Sequence, residues 1–364
     1  MRFEPASLVD AIGRCCVVYA TNKDITKNPG IQFTPQGAAM LIETSDGEVA
    51  VRCRVDRLDE DDPTPEKFIL SALQLRKFFD HNENSWRSVQ LDVDANEVEF
   101  TIDLIKAKFV RVRGTMQPLP KMKPAEMSTI PSFRRHVAAV AWARSRLGKN
   151  GEVAAKCGVL IATDHVAATD LFSGAMVKVN TGLSQDYVVS SPQIAKVLAG
   201  TDEDSDVMLG VNENGRLFAS PRRGIQYSMP TMGGEFPPLQ KVLANRNHLD
   251  ATIDGKALLK CLQRSSAWAS EDNALLVSIL IENTELKITT PDGAGGGFYE
   301  ALRIPNCGFE EPILVRLNAQ SAINCLAHIK GEAITMSFPN GPKVADVRFT
   351  DGDYSIMLGR TKTA

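Results

Sequence analysis

The chain has 364 residues, 43% of them hydrophobic, and its 41 Lys and Arg against 44 Asp and Glu give a formal net charge of −3. This apolar content excludes a wholly disordered chain, and the length predicts two or three cores of about 100–150 residues each. No apolar run approaches the ~18–20 residues of a membrane span, and the first residues do not resemble a signal peptide, so we expect a cytoplasmic protein. The near-neutral total, taken alone, argues against a nucleic-acid partner.

Two helical patterns occur in each third of the chain. In chain order, the segments with helical periodicity are 6–20, 71–82, 131–149, 191–200, 255–270 and 317–330. The second helix of each third begins at a residue type that favours the N-cap, namely Ser71, Ser191 and Asn318. The third and fifth helices also share the tripeptide Ala-Trp-Ala, at 141–143 and 267–269. This repetition predicts similar units rather than unrelated domains.

A hairpin pattern follows the second helix of each third. Apolar and polar residues alternate in 89–100, 207–218 and 334–341, and each alternation is interrupted at Asn, Gly or Asp. Each third is therefore predicted to contain a helix, strands, a second helix and more strands. The fold class is α+β, built from three tandem copies of one unit, with predicted domains 1–122, 126–245 and 246–364.

No motif of a catalytic or metal centre is present in the sequence. HExxH, GxSxG, a P-loop lysine motif and an EF-hand loop are all missing, and the five histidines have no metal-ligand spacing. The seven cysteines lie apart, without a CxxC pair, which favours buried, reduced thiols. The sequence therefore predicts no catalytic residues, no metal and no cofactor.

Charge is unevenly distributed along the chain. The six helical segments hold 13 basic residues and 2 acidic ones, so the strands and loops carry the excess of acid. A solvated face explains a basic helix taken singly, whereas the whole set favours contact with phosphates rather than with base edges. The candidate DNA-contacting residues are Arg14, Lys23, Arg76, Arg134, Arg135, Arg146, Lys149, Lys196, Lys256, Lys260 and Arg264.

Two short segments carry a resemblance to a known family. Ala-Thr-Asp-Leu-Phe at 168–172 is similar to that family's Ala-Thr-Asp-x-(Phe/His) segment. Glu-Phe-Pro-Pro-Leu-Gln-Lys-Val-Leu at 235–243 is similar to its Phe-Pro-Asp-Tyr-x-(Arg/Lys)-Val-Leu signature. Together with the triple repeat, they make the whole chain resemble the bacterial beta sliding clamp, the processivity subunit of DNA polymerase III.

The resemblance implies a non-enzymatic ring. Two chains would pair head-to-tail as a homodimer, with helices lining a channel around double-stranded DNA and antiparallel sheets outside. DNA polymerase and the clamp loader would bind through short linear peptides. By similarity, Phe109 and Trp268 would face the subunit joint, although a place in an ordinary core explains either aromatic residue equally well.

The resemblance also implies an apolar pocket for partner peptides. Carried over residue by residue, it comprises Thr169, Leu171, Phe172, Ser173, Gly174, Pro237, Lys241, Val242, Ile356, Met357, Leu358 and Arg360. The chain has Ser173-Gly174 where the family usually has Arg-Leu, and its C-terminal residues also differ from the usual Met-Pro-Met-Arg-Leu. Loss of a leucine removes on the order of 100 Å² of apolar wall, roughly 2 kcal/mol of anchoring energy. We therefore expect a pocket with altered peptide specificity.

Two other functions stay open. A clamp-like paralogue, encoded by a phage or plasmid, would keep the fold and act as a partner-selective or inhibitor-resistant variant. A DNA-modifying enzyme built on repeats is the third hypothesis, which the missing catalytic motifs disfavour.

Overall fold

The computed structural model describes residues 1–19, 29–59, 65–79, 86–120, 126–143, 158–212, 214–244, 247–268, 275–291, 297–340 and 346–359. Four predicted site residues lie outside these ranges, namely Lys23, Arg146, Lys149 and Arg360. Among the described residues, no helix is long and apolar enough to cross a membrane.

One order of elements occurs three times in the described chain: a strand, a helix, four strands, a helix and three strands. The first copy contains β1 (Arg2–Phe3), α1 (Pro5–Tyr19), β2 (Ile31–Gln36), β3 (Ala39–Ser45), β4 (Ala50–Asp56), β5 (Phe68–Leu70), α2 (Ala72–Phe79), β6 (Val89–Val93), β7 (Glu97–Ile102) and β8 (Ile105–Val110). The second contains β9 (Glu126–Ile130), α3 (Phe133–Ala141), β10 (Gly158–Ile161), β11 (His165–Thr169), β12 (Ser173–Lys178), β13 (Tyr187–Ser190), α4 (Ser191–Ala199), β14 (Val207–Val211), β15 (Arg216–Arg222) and β16 (Ile225–Met232).

A short helix, α5 (Leu239–Leu243), precedes the third copy. The third copy contains β17 (His248–Asp254), α6 (Gly255–Ser266), β18 (Leu276–Ile281), β19 (Glu285–Pro291), β20 (Gly297–Arg303), β21 (Ile313–Asn318), α7 (Ala319–Leu326), β22 (Ala333–Pro339), β23 (Asp346–Asp351) and β24 (Tyr354–Gly359). Each of the six predicted helices is present within the described residues, and the triple α+β repeat is confirmed; positions 20, 80–82, 144–149 and 269–270 of the predicted helices lie outside those residues. The predicted domain boundaries fall between β8 and β9 and between α5 and β17, and as limits of folding units they stay a prediction.

Local sequence explains where the helices of the third copy begin. The Asn318 side chain accepts a hydrogen bond from the Ser321 amide at 2.9 Å, which confirms the predicted N-cap. Asp254 caps α6 in the same way, through the Ala257 amide at 2.9 Å. Helix α5 was not predicted from the sequence, because two prolines precede it and it is too short to show a helical period.

The chain divides into two compact units, and the first comprises Met1–Arg134 with Pro192–Thr231. Its four-stranded antiparallel sheet has the order β1-β6-β7-β8. Its longer sheet has the order β9-β14-β15-β16-β4-β3-β2-β5, in which β16 pairs with β4 through Ile225 and Cys53. Helix α1 packs against α2, β3 and β4, and buries Leu8, Ile12 and Cys15 completely.

The second unit comprises Arg135–Ser191 with Met232–Ala364. Its four-stranded antiparallel sheet has the order β20-β19-β18-β21. Its longer sheet has the order β17-β22-β23-β24-β12-β11-β10-β13, in which β12 pairs with β24 through Gly174 and Met357. Helix α6 packs against α7, β19 and β20. Each unit thus combines one whole copy of the repeat with strands from the middle copy.

Buried thiols are the rule among the described cysteines. Five are buried, namely Cys15, Cys16, Cys53, Cys261 and Cys325, and Cys307 is half-buried; all six are free. The predicted burial is confirmed for those five, and Cys157 lies outside the described residues.

Candidate functional site

An apolar cluster covers one face of the longer sheet in the second unit. Leu160 lies opposite both Ala167 and Val188 in the strand pairing, and Ala167 lies opposite Met176. Met357 joins these residues from β24. Helix α5 contributes Leu239, and three partly buried residues pack against the cluster: Met232, Phe236 and Leu243. The segment 232–243 therefore covers this face with apolar side chains.

The covering segment lies in close contact with the sheet at Gly174. A Cβ atom built on Gly174 would lie 2.5 Å from Cδ1 of Leu239, a separation that real Cβ atoms do not show. Leu239 is only 4% exposed. Its side chain therefore fills the space that a larger residue at position 174 would need.

Arg348 holds the C-terminal end of α5. Its guanidinium donates to the carbonyl oxygens of Val242 and Leu243, each at 2.8 Å, and its Nε donates to Asp346 at 2.6 Å. The Arg348 side chain is 8% exposed, so these bonds form away from solvent. They bind carbonyl oxygens of the last turn of α5 from the neighbouring strand β23, and thereby fix α5 on the sheet.

A tight turn precedes β12 and presents two exposed apolar side chains. Asp170 Oδ1 accepts hydrogen bonds from the amides of Phe172 at 2.9 Å and Ser173 at 2.6 Å. Thr169 Oγ1 accepts from the Leu171 amide and donates to the Ser173 carbonyl. Leu171 adopts a positive φ of 75°, which is rare for a leucine. The turn leaves Leu171 47% and Phe172 79% exposed.

Only part of the predicted pocket comes together. Gly174 and Met357 share the clustered face, and Pro237 lines a cavity beside it. Lys241 and Val242 are exposed on α5. Thr169 is 1% exposed, and its hydroxyl forms its hydrogen bonds within the turn.

The placement of Ile356 and Leu358 in the pocket is corrected by the structure. Side chains alternate along a strand, and these two flank Met357, so they point to the opposite face of β24. Both are buried there. Leu239 and Arg348 were not among the predicted site residues. Leu239 lies within the family signature, at the position of its Tyr, and could have been found there.

The cavity beside the cluster has an apolar floor and an acidic rim. Its volume is about 380 Å³, and Leu160, Val188, Phe236 and Pro237 contribute to its walls. Two exposed carboxylates, Asp186 and Glu235, also line it. We call this cavity the α5 groove.

His165 also lines the α5 groove and is fixed by its neighbour. Its Nδ1 lies 2.6 Å from Asp164 Oδ1, and the hydrogen bond from His165 lowers the pKa of the Asp164 carboxyl. The ring is therefore held in place by a carboxylate that stays ionised.

The solvent-facing charges of the helices form a second candidate site. Within the described helices, every exposed charged residue is basic: Arg76, Lys77, Arg135, Lys241, Lys256, Lys260 and Arg264. On α6, Lys256, Lys260 and Arg264 are four residues apart and therefore share one face. Lys256 lies 3.5 Å from Glu332, and Arg264 Nε donates to Glu300 at 2.9 Å.

Arg14 and Lys196 do not present their charges to solvent. The Lys196 side chain is 11% exposed and forms an ion pair with Asp46, which is 3% exposed. The Arg14 side chain is 10% exposed, bonds Asp10 at 2.7 Å and donates to the Gly200 carbonyl. Their assignment as DNA contacts is corrected on this ground, because both side chains are nearly buried and hold their charges against partners within the fold. Arg134 is half-buried and donates to the Thr201 carbonyl at 2.5 Å.

The two candidate joint residues differ in their surroundings. Phe109 is 5% exposed and packs against Phe78 and Phe100, with ring centroids 5.6 and 5.1 Å away. It is a core aromatic residue, which corrects the expectation that it faces a partner. Trp268 follows α6 and is 50% exposed. On β8 itself, Val110 is 68% exposed and was not anticipated.

Comparison with known proteins gives matches at the level of structure alone. No protein-family model matches the sequence, and no curated protein matches it either. The DNA polymerase sliding clamp from Pseudomonas aeruginosa is similar with a TM-score of 0.84 at 14% identity, over 100% of this chain and 99% of that one. The DNA polymerase III beta subunit from Thermotoga maritima has a TM-score of 0.82 at 16% identity, again over 100% and 99%.

The DNA polymerase sliding clamp from Bacillus subtilis is similar to the same extent, with a TM-score of 0.84 at 14% identity over 100% of this chain and 99% of that one. The chain therefore has, over its full length, the fold of the DNA polymerase III beta sliding clamps. The α+β fold class and the tandem clamp repeat predicted from the sequence are confirmed.

Proposed function

We propose that the chain is a DNA sliding clamp, a cytoplasmic and non-catalytic processivity factor that encircles double-stranded DNA and tethers a DNA polymerase. The full-length structural match carries this proposal. In the proposed clamp, 1–122, 126–245 and 246–364 are three clamp domains. No cofactor is required, because the ring is held on DNA by enclosing it.

The basic helix faces support non-specific contact with DNA. We assign phosphate contacts to exposed residues of three helices, namely Arg76, Lys77, Arg135, Lys256, Lys260 and Arg264, with half-buried Arg134 beside them. Lys23, Arg146 and Lys149 keep their place in this proposal from sequence alone. Phosphate contacts carry no sequence information and weaken as salt rises, which suits a protein that must slide.

The sheet edges support a head-to-tail homodimer. Each longer sheet joins two runs of four strands. The run β9-β14-β15-β16 pairs through β16 with β4 of the run β4-β3-β2-β5, and the run β17-β22-β23-β24 pairs through β24 with β12 of the run β12-β11-β10-β13. The four-stranded sheets β1-β6-β7-β8 and β20-β19-β18-β21 have the corresponding edges, so by the same rule β8 would pair with β20. Each of these two strands has a neighbour on one side only in the described sheets. Pairing β8 of one protomer with β20 of its partner would satisfy both edges and close a ring. Trp268 follows α6, which packs against β20. We propose that it lies at this joint.

The face around α5 supports docking of short linear peptides from the polymerase and the clamp loader. Three apolar side chains are exposed on the elements that carry the covered cluster: Leu171 and Phe172 in the turn before β12, and Val242 on α5. Exposed apolar groups on a rigid framework are typical of surfaces that bind a partner.

The proposal is tested by primer extension with the cognate polymerase and clamp loader on a long single-stranded template. We expect the chain to lengthen the products of a single binding event. Products of unchanged length, with a loader known to act on another clamp as control, would contradict the proposal.

A second candidate function is a clamp-like paralogue with an altered partner pocket, selective for other partners or resistant to inhibitors. The observation that favours it is the space at Gly174, which Leu239 fills. Binding of the host polymerase's own clamp-binding peptide, measured by fluorescence anisotropy, separates the two. Micromolar or tighter binding favours the general clamp, and no binding favours the paralogue.

A further inference from the structure

The α5 groove combines apolar walls with uncompensated negative charge. Its walls include Leu160, Val188, Phe236 and Pro237, and its carboxylates are Asp186 and Glu235. Among the described residues that line the groove, none is Lys or Arg. The charge of the groove is therefore negative, whereas the exposed charges of the helices are positive.

The rim carboxylates are available to a ligand. Both residues are exposed, and within the described part of the chain Asp186 accepts a single, long hydrogen bond, from the Thr163 amide at 3.4 Å. No ion pair involving either carboxylate is found among the described residues. A cation on a ligand could therefore pair with these carboxylates without breaking an existing ion pair.

These properties select one class of occupant. A cavity of about 380 Å³ accepts one or two apolar side chains. Nucleic acid and anionic lipid would be repelled by the rim, whereas a peptide that combines apolar and cationic residues satisfies both parts. We propose that the α5 groove binds peptides that carry a Lys or Arg beside their apolar anchor, and that Asp186 and Glu235 read this cation. The inference deepens the proposed docking of partner peptides and rests on it.

The test uses three labelled eight-residue peptides that share Leu-Phe and differ only in whether Lys, Gln or Glu lies next to it. Fluorescence anisotropy with the full chain is expected to give the Lys peptide about fivefold tighter binding than the Gln peptide, with the Glu peptide weakest. The preference should shrink as salt is raised to 0.5 M, since the rim is exposed.

Charge variants identify the residues responsible. Asp186→Asn with Glu235→Gln is expected to abolish the preference, and Asp186→Lys with Glu235→Lys to invert it. A matched control, Asp250→Asn with Glu311→Gln, removes the same charge from two exposed residues outside the groove and should leave the preference intact.

Three results would overturn the inference: no binding of the Lys peptide, equal binding of all three peptides, or a preference that survives neutralisation of the rim. Failure of the clamp function is a separate result, because it is measured as retention on DNA without any peptide. If the chain were not retained on DNA but still preferred the Lys peptide, the proposed role of Asp186 and Glu235 in the groove would be supported although the clamp function had failed.

Discussion

Leu239 occupies the space beside Gly174, so closely that a Cβ atom at position 174 would lie 2.5 Å from Leu239 Cδ1. The resemblance to the clamp family led us to expect an opened pocket wall at this position, because a leucine is replaced by glycine. Instead, the leucine of α5 fills the space from the other side. The apolar face therefore stays covered at position 174.

Substitution of Gly174 by Ala should therefore destabilise the chain. The methyl group must displace Leu239, and overpacking of this kind costs about 1–3 kcal/mol of unfolding free energy. Chemical denaturation measures the effect. Gly13→Ala is the matched control, because nothing lies within 4 Å of the added Cβ on α1, and it should stabilise by roughly 0.5–1 kcal/mol. Equal effects of the two substitutions would contradict the packing described for Leu239.

Loss of Arg348 should release α5. Arg348→Met removes the bonds to the Val242 and Leu243 carbonyls, and bonds from a charged donor contribute about 1.5–3 kcal/mol each at most. We expect faster hydrogen exchange at α5 and weaker binding of partner peptides. The control is Arg54→Met, since the Arg54–Asp56 pair is exposed and should change unfolding by less than about 1 kcal/mol. Unchanged exchange at α5 in Arg348→Met would show that other contacts hold the helix.

Lys196 and Lys260 should separate stability from DNA binding. Lys196→Met leaves Asp46 buried without its cation, which costs about 3–5 kcal/mol, and Asp46→Asn added to it should restore part of that loss. Lys260→Ala should leave stability nearly unchanged and lower the salt dependence of DNA binding by about one phosphate contact. Denaturation and salt titration of DNA affinity check the pair. A stability loss in Lys260→Ala and a reduced salt dependence of DNA binding in Lys196→Met would mean that Lys196, not Lys260, contacts the phosphates.

The β8 edge should be sensitive to charge. Val110→Asp places a carboxylate at the proposed joint, so we expect the dimer dissociation constant to rise roughly tenfold or more. Leu314→Asp is the control, because Leu314 is 52% exposed on β21, the other edge of the sheet that ends in β20. Sedimentation at micromolar concentration distinguishes them. A wild-type monomer, or equal dissociation of both variants, would contradict pairing of β8 with β20.

Periodicity predicted more of the fold than of the site. All six long helices and the triple repeat follow from apolar spacing and caps, as at Asn318, because these signals are local. The burial of Lys196 could not be predicted, since its partner Asp46 is 150 residues away in the chain. The close approach of Leu239 to Gly174 is likewise a contact between distant segments, and Phe109 is buried by aromatic neighbours that no motif identifies.

Charge shows the same contrast. The formal total of −3 gave no indication of a nucleic-acid partner, yet the exposed charges of the described helices are all basic. The segregation was visible in the sequence, but which basic residues face solvent depends on long-range pairs such as Arg14 with the Gly200 carbonyl.

The most direct test of the account is retention on DNA of different topology. The chain is loaded by its clamp loader onto a nicked circular plasmid, half of the sample is linearised, and both halves are washed at high salt. A ring held by topology stays on the circle and runs off the linear ends, because phosphate contacts alone do not survive the salt. We predict retention on circular DNA and loss from linear DNA, and equal loss from both would contradict the sliding clamp.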